Sequence, residues 1–157
     1  MTINLGGGTL SSYESWSSGV AMNLTGVGGN ITIAPASGNT ITLASSRCGL
    51  SAKTKTGGGT LVLTANDTYA GNTDIGAGTL ELSHASANNI ANSPVVTVGT
   101  GATLDVTGLS GGTFGLSAGQ VLRGTGTVAG TIGGQGLVSP GASPGILTAT
   151  AVDPSGG

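Results

Sequence analysis

Apolar and polar residues alternate in short blocks along most of the chain. In Ile31-Thr32-Ile33 and Leu80-Glu81-Leu82, two apolar side chains flank one polar side chain. Successive side chains of an extended strand point to opposite faces, so each block predicts a short strand that buries one face. The apolar spacing of an amphipathic helix does not recur. Further blocks of this kind are Ile3-Asn4-Leu5, Ile41-Thr42-Leu43, Leu61-Val62-Leu63, Leu104-Asp105-Val106, the pair Val96 and Val98, and the pair Val128 and Ile132.

Glycine groups separate these blocks and predict tight corners. Glycine tolerates the positive φ that such corners require. The phrase Gly-Thr-Leu recurs at Gly59-Thr60-Leu61 and Gly78-Thr79-Leu80, and the later copies of this phrase are about 20 residues apart, as in solenoid repeats. The pattern predicts an all-β fold, a right-handed parallel β-helix of about seven coils. We expect residues 1–157 to form a single β-solenoid domain, a rod about 35 Å long if the coils are about 4.8 Å apart.

An all-β sandwich is the rival fold, because short strands and turn signals describe it as well. Aromatic residues make up only 3% of the chain, so Trp16, Phe114, Tyr13 and Tyr69 are too few to dominate a sandwich core. Together with the coil-like repetition, this favours the β-helix.

Charged residues make up only 6% of the chain, and the net charge is −2. A surface this poor in charge must be hydrated by hydroxyl and amide groups. The four cations, Arg47, Lys53, Lys55 and Arg123, cannot form a basic stripe, so nucleic-acid binding is not expected. No apolar run approaches the roughly 20 residues of a membrane helix. The first residues lack the basic and apolar segments of a signal peptide, so we expect a mature chain or a piece of a longer one.

Cys48 is the one cysteine of the chain. An intramolecular disulfide is therefore impossible, and a zinc site would lack partners. The expectation is a buried, inert thiol, and the alternative is a disulfide between molecules.

Catalytic chemistry finds little support in the sequence. Asp74, Glu81 and Asp105 occupy outward positions of nearby coils and could lie on one face, but a polysaccharide-cleaving site would need Arg or Lys to converge on them. We expect solvated carboxylates here and an exposed corner residue at His84. The glycine-rich calcium-binding repeat and the EF-hand loop are both missing. The sequence therefore predicts no enzyme, no catalytic or metal-binding residue and no cofactor. The remaining carboxylates are Glu14, Asp67 and Asp153.

Residues 57–80, GGGTLVLTANDTYAGNTDIGAGTL, resemble the autotransporter-associated β-strand repeat, G-x-G-T-L-x-L-x-x-x-N-T-Y-x-G-x-T-x-I-x-x-G-T-L. Asp67 stands where the repeat usually has Asn. Residues 48–56 are similar to the lead-in of such repeats, and residues 124–148 to the segment that closes a block of them. The closing signature consists of Pro140, Gly141, Ser143, Pro144 and Gly145.

The resemblance implies export by a Gram-negative bacterium to the cell surface or the medium, often as the passenger of a type V autotransporter. Both ends of the chain alternate without an obvious cap, so we expect assembly ends that contain Ile3, Leu5, Leu147 and Val152. Further coils of a longer passenger, or copies of this chain, would cover them. The leading hypothesis is a non-enzymatic structural subunit that joins its own copies end to end into a fibre or surface layer. The alternative is an adhesin segment that binds surface glycans or associates with like rods on other cells.

Overall fold

Short parallel strands stack into a β-solenoid in the computed structural model, which describes residues 1–141 and 145–153. One 3₁₀ turn, Ser110–Gly112, is the helical element within these residues. The strands are β1 (Thr2–Leu5), β2 (Gly8–Ser12), β3 (Trp16–Ser18), β4 (Ala21–Leu24), β5 (Ile31–Pro35), β6 (Thr40–Leu43), β7 (Arg47–Gly49), β8 (Lys53–Lys55), β9 (Thr60–Leu63), β10 (Thr73–Ile75), β11 (Thr79–His84), β12 (Val95–Val98), β13 (Thr103–Leu109), β14 (Thr113–Leu116), β15 (Val121–Gly124), β16 (Thr127–Gly134), β17 (Leu137–Pro140) and β18 (Thr148–Val152).

The strands form three sheets, one on each side of the solenoid. Face A contains β1, β4 and β7, and face B contains β2, β5, β8, β10, β12, β15 and β17. Face C contains β3, β6, β9, β11, β13 and β16, and both β14 and β18 pair with β16. Each pairing between these strands is parallel and joins neighbouring coils. The seven strands of face B correspond to about seven coils, which confirms the solenoid and excludes the sandwich.

The core consists of inward side chains that stack in register from coil to coil. On face C, Ile41 pairs with Leu61, Leu61 with Leu80, and Leu80 with Leu104. All four side chains are buried, as the alternation predicts, while the next residue in each strand faces outward. Fully burying one such side chain contributes about 1.5–3 kcal/mol, so this column is a principal source of stability.

Beyond β7, face A continues as a segment that is hydrogen-bonded to β7 but does not form a regular strand. The backbone N–H of Thr68 donates to the carbonyl of Arg47 at 2.8 Å, and that of Ala70 donates to Gly49 at 2.9 Å. Residues 67–70, which contain the Asn-Thr-Tyr-like corner of the repeat, therefore extend the stack of face A by one coil. The segment that resembles the end of a repeat block, residues 124–148, contains β16 and β17, but Ser143 and Pro144 of its signature lie outside the described residues.

Candidate assembly edges and a buried charged cluster

The first coil presents an open edge. Within the described residues, β1, β2 and β3 pair on one side only, with β4, β5 and β6. Ile3 is half-buried and pairs with Met22, and Leu5 is half-buried and pairs with Leu24. Both predicted residues therefore lie on the outermost strand of face A, with unpaired backbone groups on their outer side.

Among residues 1–141 and 145–153, β17 and β18 each pair on one side only, which gives the last coil a second open edge. Val152 in β18 pairs with Ile132 and remains 64% exposed, and Leu147 is half-buried against the core immediately before β18. A cavity of about 160 Å³ opens at this end between Leu116, Ile132, Val138 and Val152. Apolar core is thus accessible at the edge to which the sequence assigned Leu147 and Val152.

Arg47 and Asp67 form an ion pair in the interior of the solenoid, which the sequence analysis did not predict. Arg47 Nη2 lies 2.6 Å and Nε 3.0 Å from Asp67 Oδ2, and the backbone N–H of Arg47 donates to Oδ1 at 2.8 Å. The side chains are 1% and 0% exposed. Nη1 of Arg47 also donates to the carbonyl of Leu43 at 3.2 Å, so the guanidinium is bonded on several sides.

Lys53 completes this cluster with an amine that has no hydrogen-bond acceptor among the described residues. Its Nζ lies 3.8 Å from Asp67 Oδ2 and 4.0 Å from the centroid of the Tyr69 ring. Burial lowers the pKa of Lys53 to about 7; the Asp67 charge opposes this shift and the Arg47 charge adds to it. The amine is therefore partly neutral at neutral pH, because burial without a hydrogen-bond acceptor disfavours its charged form.

A series of buried hydroxyl groups joined by hydrogen bonds continues from Tyr69. The Tyr69 hydroxyl lies 2.6 Å from Thr73 Oγ1, which lies 2.9 Å from Ser93 Oγ. Burial raises the pKa of Tyr69. Lys55, two residues after Lys53, donates to the carbonyls of Thr56, Gly57 and Ala77 at 2.8–3.0 Å, and its burial lowers its pKa to about 8.

The alternation of the sequence contains the signal for this cluster. Lys53-Thr54-Lys55 has the form of a strand block in which lysine takes both inward positions, and Arg47 likewise takes an inward position of β7. Asp67 replaces the usual Asn of the repeat at the position stacked over Arg47. Because these side chains are sealed from solvent, they cannot reach a substrate; they cross-link neighbouring coils.

The outward carboxylates lie on two faces, so the expectation that they could share one face is wrong. Asp74 lies in β10 on face B, whereas Glu81 and Asp105 pair with each other on face C. Partial burial of Glu81, with the nearby charge of Asp105, raises the pKa of the Glu81 carboxyl. The chain crosses a corner between β10 and β11, which places successive strands on different faces.

The interpretation of His84 as an exposed corner residue is also wrong. His84 ends β11 and is half-buried, with Nδ1 2.9 Å from Ser86 Oγ and accepting from the backbone N–H of Ser86 at 3.1 Å. These local bonds fix the turn that follows β11. They do not join His84 to Asp74 or Asp105.

Cys48 is exposed, contrary to the expectation of a buried thiol. Arg47 and Gly49 flank it in β7, and because Arg47 points inward, alternation turns Cys48 outward. Its Sγ lies 3.7 Å from Asn23 Oδ1, and Nδ2 of the same Asn23 donates to Asn4 Oδ1. The thiol thus lies at one end of a row of amides on face A.

Residues 1–141 and 145–153 lack both a metal-binding cluster of side chains and a membrane-spanning helix. No group of three or more His, Cys, Asp or Glu side chains lies where it could hold a metal ion. No helix in this part of the chain has both the length and the apolar character needed to cross a bilayer.

Residues 54–82 match the family model of the passenger-associated-transport-repeat. The matched segment contains β9, β10 and the first four residues of β11 together with Asp67 and Tyr69, so it spans about one coil of the solenoid. The match and the β-solenoid confirm the resemblance to autotransporter passenger-like repeat proteins, a family that suggests a secreted or surface location in Gram-negative bacteria. None of the curated proteins and none of the solved structures compared with the chain matches it.

Proposed function

We propose that this autotransporter passenger-like repeat protein is a non-enzymatic structural subunit whose solenoid joins others end to end by strand addition. The observation that supports the proposal is that, in the part of the chain that the structure describes, the strands at both ends of the solenoid have one unpaired edge and apolar inward side chains. Unpaired parallel strands are templates for further pairing. A contact between two different ends does not close on itself, so repetition of it produces a filament.

The inward columns supply complementary side chains at the two edges. Gly8 and Val138 end one column of face B, and Trp16 and Ala149 end one column of face C. A second copy that continues the stack would place Val138 on Gly8 and Ala149 on Trp16. A large side chain then meets a small one in each column, which close packing requires.

Faces B and C reach the last coil, so their strands would form the contact between two copies, which we call the joint. In the stacked arrangement, β2 of one copy pairs with β17 of the next, and β3 pairs with β18. Pro140 ends β17 and has no N–H, so this ladder has one donor fewer than a complete one. Two short ladders and a shared apolar core would therefore hold the copies together. Coils of a longer passenger would use the same edges.

Electron microscopy and sedimentation of the purified chain test this proposal. We expect filaments whose length increases with protein concentration. Trp16→Asp and Ala149→Asp each put a charge in the joint at opposite edges, so each variant alone should remain monomeric. Mixed together, they retain one intact edge each and should form dimers but no longer species.

Ser17→Asp is the matched control for Trp16→Asp, because Ser17 is its exposed neighbour in β3. This variant should form filaments like the wild type, and circular dichroism should show the same β-structure in all variants. A wild type that stays monomeric at its highest soluble concentration would contradict the proposal. Dimers in a sample of either edge variant alone would contradict it as well.

An adhesin segment that binds surface glycans is the second candidate function. An open polar groove on the first coils favours it, since hydroxyl and amide groups line this groove. An enzymatic role has less support, because the charged cluster of Arg47, Asp67 and Lys53 is buried. Incubation with acidic polysaccharides, followed by analysis of product size, tests for such an activity.

A further inference from the structure

A groove of about 530 Å³ runs along the corner between faces A and B over the first coils. Three successive corner segments form it, residues 25–30, 50–52 and 71–72. Its lining includes Thr25, Asn30, Leu50, Ser51, Ala52 and Asn72. The groove lies on the lateral surface of the solenoid, away from the columns that end at the two open edges.

The groove exists because successive corners shorten. Residues 25–30 connect β4 to β5, whereas residues 50–52 suffice between β7 and β8. The shorter corners leave a step beside the longer one. The floor is closely packed: a Cβ at Gly71 would overlap the backbone of Ser51 and Ala52, and a Cβ at Gly26 would lie 2.9 Å from Ser51 Oγ. The groove is therefore a preformed feature of the backbone.

Its polar groups are available to a ligand. The side-chain amides of Asn30 and Asn72 form no hydrogen bond with the described part of the chain, so each offers two donors and an acceptor. The side chain of Leu50 is 80% exposed at the groove and adds an apolar surface. No Asp, Glu, Lys, Arg or His is among the described residues that line it. The chemistry suits a neutral ligand with many hydroxyl groups and apolar C–H faces.

We propose that this groove binds a neutral oligosaccharide of two or three sugar units. The volume lies within the roughly 300–1,000 Å³ of small-molecule sites. Asn30 and Asn72 bond the hydroxyl groups of adjacent sugar units, and Leu50 packs against a ring face. The site gives the adhesin function a defined binding surface and does not depend on end-to-end assembly.

Saturation-transfer-difference NMR on the full chain tests the site with neutral gluco-, manno- and chito-oligosaccharides. We expect signals from at least one of these series and weaker or no signals from uronic-acid oligosaccharides of equal length. Asn72→Ala should weaken binding by roughly tenfold, the value of one good hydrogen bond to a ligand. Leu50→Ser should weaken it as well, through the loss of apolar contact.

Asn66→Ala is the matched control, because Asn66 lies outside the groove and its side chain also forms no hydrogen bond with the described residues. It should leave sugar binding unchanged. No signal from any neutral series, preferential binding of the acidic sugars, or equal loss in Asn66→Ala and Asn72→Ala would overturn the proposal. Filament formation by Asn72→Ala reports separately on assembly, so failure of one proposal is distinguishable from failure of the other.

Discussion

Arg47 Nη2 lies 2.6 Å from Asp67 Oδ2 in the solenoid interior, where neither side chain is more than 1% exposed. The two residues belong to consecutive coils, and Asp67 belongs to the segment that matches the passenger-associated-transport-repeat. The ion pair therefore joins the first coils of the solenoid to its recognised repeat. A chain with 6% charged residues places three of them, Arg47, Lys53 and Asp67, in contact inside its core.

Asp67→Asn should destabilise the protein strongly, although Asn is the usual residue of the repeat. The substitution leaves Arg47 buried without a counter-charge, and breaking a buried pair in this way costs about 3–5 kcal/mol. The urea midpoint of unfolding measures the loss. Asp105→Asn is the control, because Asp105 is half-buried and faces outward; it should change the free energy of unfolding by about 0.5 kcal/mol or less. Equal midpoints for the two variants would contradict the ion-pair interpretation.

The stability of the protein should rise with pH above neutrality. The pKa of Lys53 is about 7 in the folded state and about 10.5 when unfolded, so the unfolded chain binds more protons between these values. Stability therefore increases with pH in this window, by at most about 1.4 kcal/mol per pH unit for this group. Lys55, with a pKa of about 8, contributes with the same sign. Urea unfolding at pH 7.0–9.5 measures the slope.

Lys53→Met should reduce this slope and raise the stability at pH 7. Methionine fills a similar volume without a charge, and Arg47 still neutralises Asp67. The urea midpoints of the variant and the wild type should converge as the pH rises. An unchanged slope would show that Lys53 does not titrate in this window.

Cys48 should react in the folded protein. Because its side chain faces solvent, we expect Ellman's reagent to modify one thiol per chain in native buffer, at a rate similar to that in denaturant. Cys48→Ser should abolish the reaction and leave the urea midpoint unchanged. A thiol that reacts only after denaturation would contradict the outward orientation of Cys48 in β7.

Gly78→Ala should cost more stability than Gly101→Ala. The two glycines have similar positive φ angles, 66° and 75°, so alanine is strained at both by roughly 1–2 kcal/mol. A Cβ at Gly78 would also overlap the backbone oxygens of Gly57 and Gly59, whereas nothing lies within 4 Å at Gly101. The difference between the two urea midpoints therefore isolates the effect of crowding. Equal losses would show that the corner at Gly78 can expand.

The alternation of residues along the chain by itself determined the fold class and the inward positions. Period-two blocks such as Ile41-Thr42-Leu43 have inward apolar residues wherever the strand forms, because the direction of a side chain is a local property of extended backbone. The same alternation, applied to β7 and β8, also predicts that Arg47, Lys53 and Lys55 point inward and that Cys48 points outward. The inward charges and the outward thiol were not predicted, because charged residues are rarely buried and free cysteines often are.

Only the tertiary structure decided which residues of different coils meet. Contact across coils depends on the lengths of the connections between strands, which range from two residues at 6–7 to ten residues at 85–94. These lengths place Asp67 over Arg47, separate Asp74 from Glu81 on different faces, and leave the groove beside Leu50. Corner lengths follow from backbone geometry and packing rather than from hydrophobic periodicity. The physical reason is that alternation specifies a direction for each side chain, whereas a contact also requires the relative position of two strands.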